Sequence, residues 1–153
     1  MDIKRITEVG VAVRDLDAAT GLLVELLGGT AGPDVVVERY NMCFRMVRVG
    51  KIDFELMEPT GDSGVIADFL AKRGEGLHHI AFAVDDLDDT MATLRERKVA
   101  WVDPEPIANR MPVTDYAGRT FDDGEIRFAF THPKSILGIL FEFIQYPEGY
   151  QAP

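Results

Sequence analysis

An internal repeat, offset by 71 residues, limits the folds open to this chain more than any other feature. Residues 8–23 read EVGVAVRDLDAATGLL and residues 79–94 read HIAFAVDDLDDTMATL, with six identities in sixteen ungapped positions. In each copy an apolar run of strand character leads into Asp-Leu-Asp and then into apolar residues at helical spacing. A fainter second repeat pairs FELMEP at 54–59 with FEFIQYP at 141–147. Each half of the chain is therefore predicted to fold in the same way.

The predicted fold class is α+β, with two tandem βαβββ modules that form a curled mixed sheet around a metal-binding cleft. Module one covers residues 1–59 and module two covers residues 77–147. A linker helix is expected within residues 60–76, and the whole of 1–153 is expected to form a single domain, since its length is typical of one.

Local signals refine this outline. The carboxylates of Asp15 and Asp86 are placed to cap the two module helices, and Ser63 is placed to cap the linker helix. Residues 104–124 are rich in Pro, Asn, Asp and Gly, so we expect a long loop that acts as a lid or binding loop.

The charge balance narrows the classes of partner. The chain has 26 acidic and 16 basic residues, which gives a formal charge of −10 at pH 7. A surface this negative repels phosphate backbones and anionic lipid headgroups, so we expect no nucleic-acid or membrane binding. The chain opens without an apolar run of signal length, and no run approaches the ~18 apolar residues of a spanning helix. A cytoplasmic protein is the expectation.

The repeat also aligns four polar residues that lie in otherwise apolar strands. Glu8 corresponds to His79, and Glu55 corresponds to Glu142. A buried carboxylate is normally paired, neutralised or bound to a metal. Three carboxylates and one imidazole predict a divalent-metal site for Mg, Mn or Co, with Zn or Ni also suitable. The alternative is that each glutamate faces solvent and that the histidine is structural.

His78 and His79 are adjacent, and either could be the metal ligand. Neighbouring strand residues point to opposite faces, so only one of His78 and His79 is expected to line the site. The repeat places His79 opposite Glu8 and therefore selects His79. The His79→Ala variant is expected to lose metal affinity, and the His78→Ala variant is expected to keep it.

A turn-like segment, His132-Pro133-Lys134-Ser135, precedes the strand that carries Glu142. One interpretation is a β-turn with proline at its second position. The other is a substrate-binding rim, where His132, Lys134 and Ser135 meet an anionic small molecule. Further cations that are candidates to hold an anion are Arg45, Arg48, Arg110, Arg119 and Arg127.

These residues resemble those of the vicinal oxygen chelate superfamily, which includes glyoxalase I, bleomycin-resistance proteins and extradiol dioxygenases. Within it, the segments LHHIAF at 77–82, HPKS at 132–135 and FELMEP at 54–59 are most similar to methylmalonyl-CoA epimerases. The resemblance implies that Glu55, His79 and Glu142 are metal ligands. It also implies an acyl-CoA substrate and a homodimer.

The chain departs from the epimerase pattern at three places. Glu8 stands where the epimerases have a histidine, and Phe44 aligns with a glutamate that acts there as a base. Residues 108–124 form an insertion relative to the usual epimerase.

The activity expected from these observations is metal-dependent proton transfer at the carbon α to a carbonyl, with epimerisation of methylmalonyl-CoA or a similar acyl-CoA as the reaction. Glu142 is the first candidate for the catalytic base. Glu55 or Glu8 is the candidate for the second acid–base group, because Phe44 has no ionisable proton. Alternatives are a glyoxalase-I-like isomerase or a non-catalytic binding or resistance protein. An extradiol dioxygenase is disfavoured, since its two-histidine, one-carboxylate triad is not matched.

Overall fold

The computed structural model describes residues 1–115 and 117–151, and these residues form an α+β arrangement of eight strands and three helices. In chain order the elements are β1 (Ile3–Ala12), α1 (Leu16–Leu27), β2 (Thr30–Val37), β3 (Met42–Val49), β4 (Ile52–Pro59), α2 (Val65–Arg73), β5 (Gly76–Val84), α3 (Leu87–Glu96), β6 (Ile107–Thr114), β7 (Thr120–Phe130) and β8 (Leu140–Gln145). Each module therefore has the predicted βαβββ order.

The backbone divides into two compact units. The N-terminal unit is Thr7–His79, and the C-terminal unit is Met1–Ile6 together with Ile80–Pro153. In the N-terminal unit the strand order is β2-β3-β4-β1, with β1 and β4 parallel and the other pairs antiparallel. In the C-terminal unit the order, read from β6, is β6-β7-β8-β5, which is the N-terminal order with each strand replaced by its repeat partner.

Each face of the N-terminal sheet packs against a different helix. On one face, Leu16 of α1 packs with Val47 and Leu56. On the other face, α2 forms a cluster with Ala12 and Met57. Leu56 and Met57 are neighbours in β4 and so point to opposite faces. Glu55 is two residues from Met57, which places it on the α2 face.

In the C-terminal unit, α3 packs through Leu87 and Met91 against Ala129 of β7 and Phe143 of β8. None of the helices formed by the described residues has the length and apolar character needed to cross a membrane.

The predicted helix caps are confirmed at two of three positions. The Asp15 carboxylate accepts a hydrogen bond from the Ala18 N–H at 2.8 Å, and the Asp86 carboxylate accepts one from the Asp89 N–H at 2.9 Å. The prediction for Ser63 is wrong, because the N-cap of α2 is Gly64. A Cβ at residue 64 would lie 2.7 Å from the Tyr40 carbonyl oxygen, so the close passage of two backbones requires glycine there.

The prediction of a long loop over 104–124 is also wrong, because residues 107–114 and 120–124 lie in strands. These strands, β6 and β7, form an antiparallel hairpin. Pro112 hides the strand pattern in the sequence, because proline cannot donate to a strand ladder. β6 tolerates it because it stands at the end of the strand order and shifts register between Met111 and Val113.

Candidate metal centre

Three polar side chains of the N-terminal unit converge. One potential ligand atom from each of Glu8, Glu55 and His79 lies within 4.8 Å of the others. β1 and β4 run parallel with Gly10 beside Glu55, and residues two apart on a strand share a face. Glu8 and Glu55 therefore point the same way, and His79 meets them from β5. The structure brings together three of the four residues predicted as ligands.

A glycine makes room for the imidazole of His79. A Cβ at Gly10 would lie 2.6 Å from His79 Nε2, and nearer still to Cε1 and Nδ1. The ring therefore occupies the space where any other residue at position 10 would place its side chain. Sequence reasoning missed Gly10, although a glycine inside a strand is itself a signal of close approach.

The two nitrogens of the His79 ring have different surroundings. Its Nε2 lies 3.4 Å from Glu55 Oε2, and its Nδ1 forms a 2.9 Å hydrogen bond with His78 Nδ1. His79 is thus the histidine beside the glutamates, as the repeat selects. His78 is not independent of the site, however. Its ring meets that of His79 edge to face, with the centroids 5.2 Å apart.

His78 is a neutral imidazole in this setting. Burial, with smaller electrostatic contributions from His79 and Arg73, lowers its pKa to about 4. Its ring also lies edge-on to Phe69, with the centroids 5.0 Å apart.

The donor set fits a divalent metal ion. His79 is 2% exposed and the side chain of Glu55 is 14% exposed, so both are poorly hydrated. A cation between the Glu8 and Glu55 carboxylates would offset the cost of removing their charge from water. Carboxylate oxygens and an imidazole nitrogen are suitable ligands for Mn, Co, Ni or Zn, and the oxygen majority also suits Mg.

Glu142, the fourth predicted ligand, belongs to the C-terminal unit. It lies on β8 and is 6% exposed. Burial raises its pKa to about 8, so this carboxyl holds a proton near neutral pH far more readily than an exposed one. Its grouping with the other three residues stays a prediction.

Of the predicted substrate-binding residues, Lys134 and Ser135 lie in a short 3-10 turn, Pro133–Ser135, before β8, and His132 is its N-cap. His132 Nδ1 accepts the Lys134 backbone N–H at 3.2 Å, and the Ser135 hydroxyl accepts the Ala100 N–H at 3.0 Å. Ser135 therefore ties the turn to a neighbouring segment. Lys134 is exposed.

Five arginines named as candidate anion anchors are each paired with an acidic residue in the fold. Pairs of this kind at a protein surface add little stability, but they do occupy the guanidinium. The pairs are Arg45–Asp34 at 2.6 Å, Arg48–Asp53 at 2.8 Å, Arg110–Glu125 at 2.9 Å, Arg119–Asp115 at 2.7 Å and Arg127–Asp88 at 2.8 Å. The structural role is therefore the better supported one for these side chains.

Phe44 lies on β3 directly opposite Met57 and packs with the Ala12–Met57 cluster. It is thus on the same sheet face as Glu55. The side chain is apolar, so this position supplies no group that could move a proton.

Comparisons with known proteins agree with this geometry. The profile of the Glyoxalase/Bleomycin resistance protein/Dioxygenase superfamily matches residues 7–114. The mitochondrial methylmalonyl-CoA epimerase of Bos taurus is 29% identical over 147 residues, which covers 94% of this chain and 75% of that protein. The ethylmalonyl-CoA/methylmalonyl-CoA epimerase of Cereibacter sphaeroides is also 29% identical over 147 residues, covering 94% of this chain and 98% of that one.

Solved structures give the same result. A methylmalonyl-CoA epimerase in complex with methylmalonyl-CoA and NH4+ superimposes with a TM-score of 0.80 at 28% identity, over 99% of this chain and 100% of that one. The epimerase of Mycobacterium tuberculosis has a TM-score of 0.75 at 29% identity, over 94% and 88% of the two chains. The chain belongs to the glyoxalase, bleomycin resistance protein and dioxygenase superfamily.

Proposed function

We propose that this protein is a metal-dependent isomerase that moves a proton at the carbon α to the carbonyl of an acyl-CoA thioester, with epimerisation of methylmalonyl-CoA as its reaction. The convergence of Glu8, Glu55 and His79 within 4.8 Å is the observation that carries the proposal. The similarity to methylmalonyl-CoA epimerases along nearly the whole chain supports the choice of substrate.

The three converging side chains would hold the metal ion, with Glu142 as the proposed fourth ligand. A divalent ion supplies Lewis acidity toward the carbonyl oxygen of the substrate, and so lowers the cost of negative charge there. The buried position of Glu142 and the small exposure of Glu55 keep water away from both carboxyl groups.

Epimerisation needs one group that removes the proton and another that returns one on the opposite face. In the proposed reaction, the Glu142 carboxylate takes the α-proton, and the electron pair of the broken C–H bond moves into the thioester carbonyl. Glu55, which is protonated at the start of the step, then delivers its proton to the other face of the same carbon, and the carbonyl re-forms. After product release both carboxyl groups exchange protons with water and return to their starting states. Phe44 has no proton to give, which is why the second role is assigned to Glu55.

Lys134 is proposed to meet an anionic group of the substrate. It carries the charge of the 3-10 turn and is exposed, whereas the Ser135 hydroxyl already accepts the Ala100 N–H.

The proposal is tested by following deuterium entry at the α-carbon of methylmalonyl-CoA by NMR in D2O, with cobalt-loaded protein. Exchange by the Glu142→Gln variant should be slower by at least about 100-fold, since the base is removed while the shape is kept. Glu148→Gln, which alters an exposed glutamate of the same unit, is the matched control and should exchange at the wild-type rate.

Cobalt content is measured in each sample, so that loss of metal and loss of the base are told apart. Absence of exchange by the cobalt-loaded wild type would exclude the epimerase activity. Exchange by Glu142→Gln at the wild-type rate would exclude only the role of Glu142.

A further inference from the structure

The hydrogen bond between His78 and His79 limits which nitrogen of each ring can be protonated. The Nδ1 atoms of His78 and His79 are 2.9 Å apart. In a neutral imidazole one nitrogen donates and the other accepts. One of these two Nδ1 atoms must therefore carry a hydrogen and the other must not, so the bond links the tautomers of the two rings.

The position of His79 decides which ring donates. Its Nε2 is the nitrogen that faces Glu55, at 3.4 Å. An imidazole nitrogen that binds a metal ion carries no proton. If His79 is a ligand through Nε2, its proton lies on Nδ1 and is donated to His78 Nδ1. His78 then accepts at Nδ1 and keeps its own proton on Nε2.

His78 is itself fixed by the hydrophobic cluster under α2. Its ring lies edge-on to Phe69, with the centroids 5.0 Å apart. Phe69 packs against the cluster that contains Ile66 and Leu70. The acceptor is therefore held by α2, an element that supplies none of the three clustered ligands.

We propose that His78 is a positioning residue, which acts as the hydrogen-bond acceptor that holds His79 in its Nδ1–H tautomer and aims Nε2 at the metal. The proposal rests on the metal centre proposed above. It replaces the sequence expectation that His78→Ala leaves metal affinity unchanged. Partners of this kind behind a metal-binding histidine typically contribute 10- to 100-fold in metal affinity.

Two variants with side chains of similar shape, asparagine and leucine, separate the effect of the hydrogen-bond acceptor from the effect of losing the imidazole ring. His78→Asn places an oxygen acceptor the same number of bonds from Cβ as Nδ1, whereas His78→Leu places a methyl group there. Both lose the ring contact with Phe69. In calorimetric titrations with Co2+, His78→Leu should bind about 10- to 100-fold more weakly than wild type, and His78→Asn should recover most of that loss.

A second measurement needs no variant. Long-range 1H–15N NMR spectra of the wild type loaded with diamagnetic Zn2+ should show a protonated Nδ1 on His79 and an unprotonated Nδ1 on His78. The opposite assignment would overturn the proposal. So would equal cobalt affinities for His78→Leu and wild type, or for His78→Leu and His78→Asn.

His79→Ala distinguishes this proposal from the one on which it rests. If His79→Ala binds Co2+ as tightly as wild type, the metal centre itself is wrong and the role of His78 fails with it. If His79→Ala loses affinity and His78→Leu does not, the metal centre stands and only the role of His78 is overturned.

Discussion

At the scale of single residues, the candidate metal centre depends on a glycine as well as on its charged side chains. Gly10 leaves the space that the His79 ring occupies, since a Cβ there would lie 2.6 Å from Nε2. Gly10→Ala should therefore push the ring off its position and lower the affinity for Co2+ by at least about 10-fold, measured by calorimetric titration.

The control for this variant is Gly21→Ala on α1, where an added Cβ would meet nothing within 4 Å. It should leave cobalt affinity unchanged and raise the free energy of unfolding by about 0.5–1 kcal/mol, because alanine is the better helix former. Equal cobalt affinities for Gly10→Ala and wild type would show that the ring has room to move.

The convergence of Glu8, Glu55 and His79 could be predicted from the sequence, although they lie on three different strands. The superposition of the halves indicates that they belong together, and the family resemblance adds to it. The space over Gly10 and the bond from His78 to His79 could not be predicted in that way. They depend on the side-chain rotamer of His79 and on contacts between strands that are distant in sequence.

At the scale of elements, the two halves begin their helices with the same device. Asp15 caps α1 and Asp86 caps α3, each by accepting an N–H three residues on. Asp15→Ala and Asp86→Ala should each lower the free energy of unfolding by about 1 kcal/mol, measured by urea denaturation.

The asparagine variants at the same two positions serve as controls. Asparagine is about as good an N-cap as aspartate, so these variants should lose much less stability. If the asparagine and alanine variants were equally unstable, the contribution would come from charge rather than from the capping hydrogen bond.

The β6–β7 hairpin was the element that sequence reasoning missed. Its strands contain Pro112 and several polar residues, and its pairing is visible only when the two strands are placed side by side. The turn is held by Asp115, a buried carboxylate that accepts hydrogen bonds from the N–H groups of Ala117, Arg119 and Gln151, and from the Arg119 guanidinium.

Asp115 gives the hairpin a dependence on pH. Burial acts to raise the pKa of Asp115, but the hydrogen bonds and charge from Arg119 outweigh it and hold the pKa below its usual range. A depressed folded-state pKa stabilises the fold at any pH above the unfolded-state value of about 4, and this stabilisation is lost as the pH falls through the folded-state value.

Asp115→Asn should therefore be less stable than wild type at neutral pH, and the difference should shrink as the pH is lowered to about 3. Urea denaturation across this range measures the difference. Asp122→Asn, at an exposed position of β7, should show a much smaller effect. A difference between Asp115→Asn and wild type that is constant with pH would show that the turn depends on the shape of the side chain and not on its charge.

At the scale of the whole molecule, the repeat accounts for most of the architecture. Both modules have the same element order and the same strand order, as the pairing of residues 8–23 with 79–94 predicts. The borders of the two compact units differ from those of the modules. The start of β1 belongs to the C-terminal unit, and α2 with the start of β5 belongs to the N-terminal unit. No feature of the repeat indicates that these segments belong to the other half's unit. The expected homodimer stays a prediction.

Metal binding should be visible in the stability of the whole chain, because an ion that binds only the folded state shifts the unfolding equilibrium by mass action. With Co2+ at 100 times its dissociation constant, the free energy of unfolding should rise by about 2.7 kcal/mol over that of chelator-treated protein. Glu8→Gln and His79→Ala should lose most of this gain at the same Co2+ concentration, since each removes a member of the cluster. Glu25→Gln, an exposed glutamate on α1, should keep it. Urea denaturation with and without Co2+ gives all four values, and an equal gain in His79→Ala and wild type would place the bound ion elsewhere.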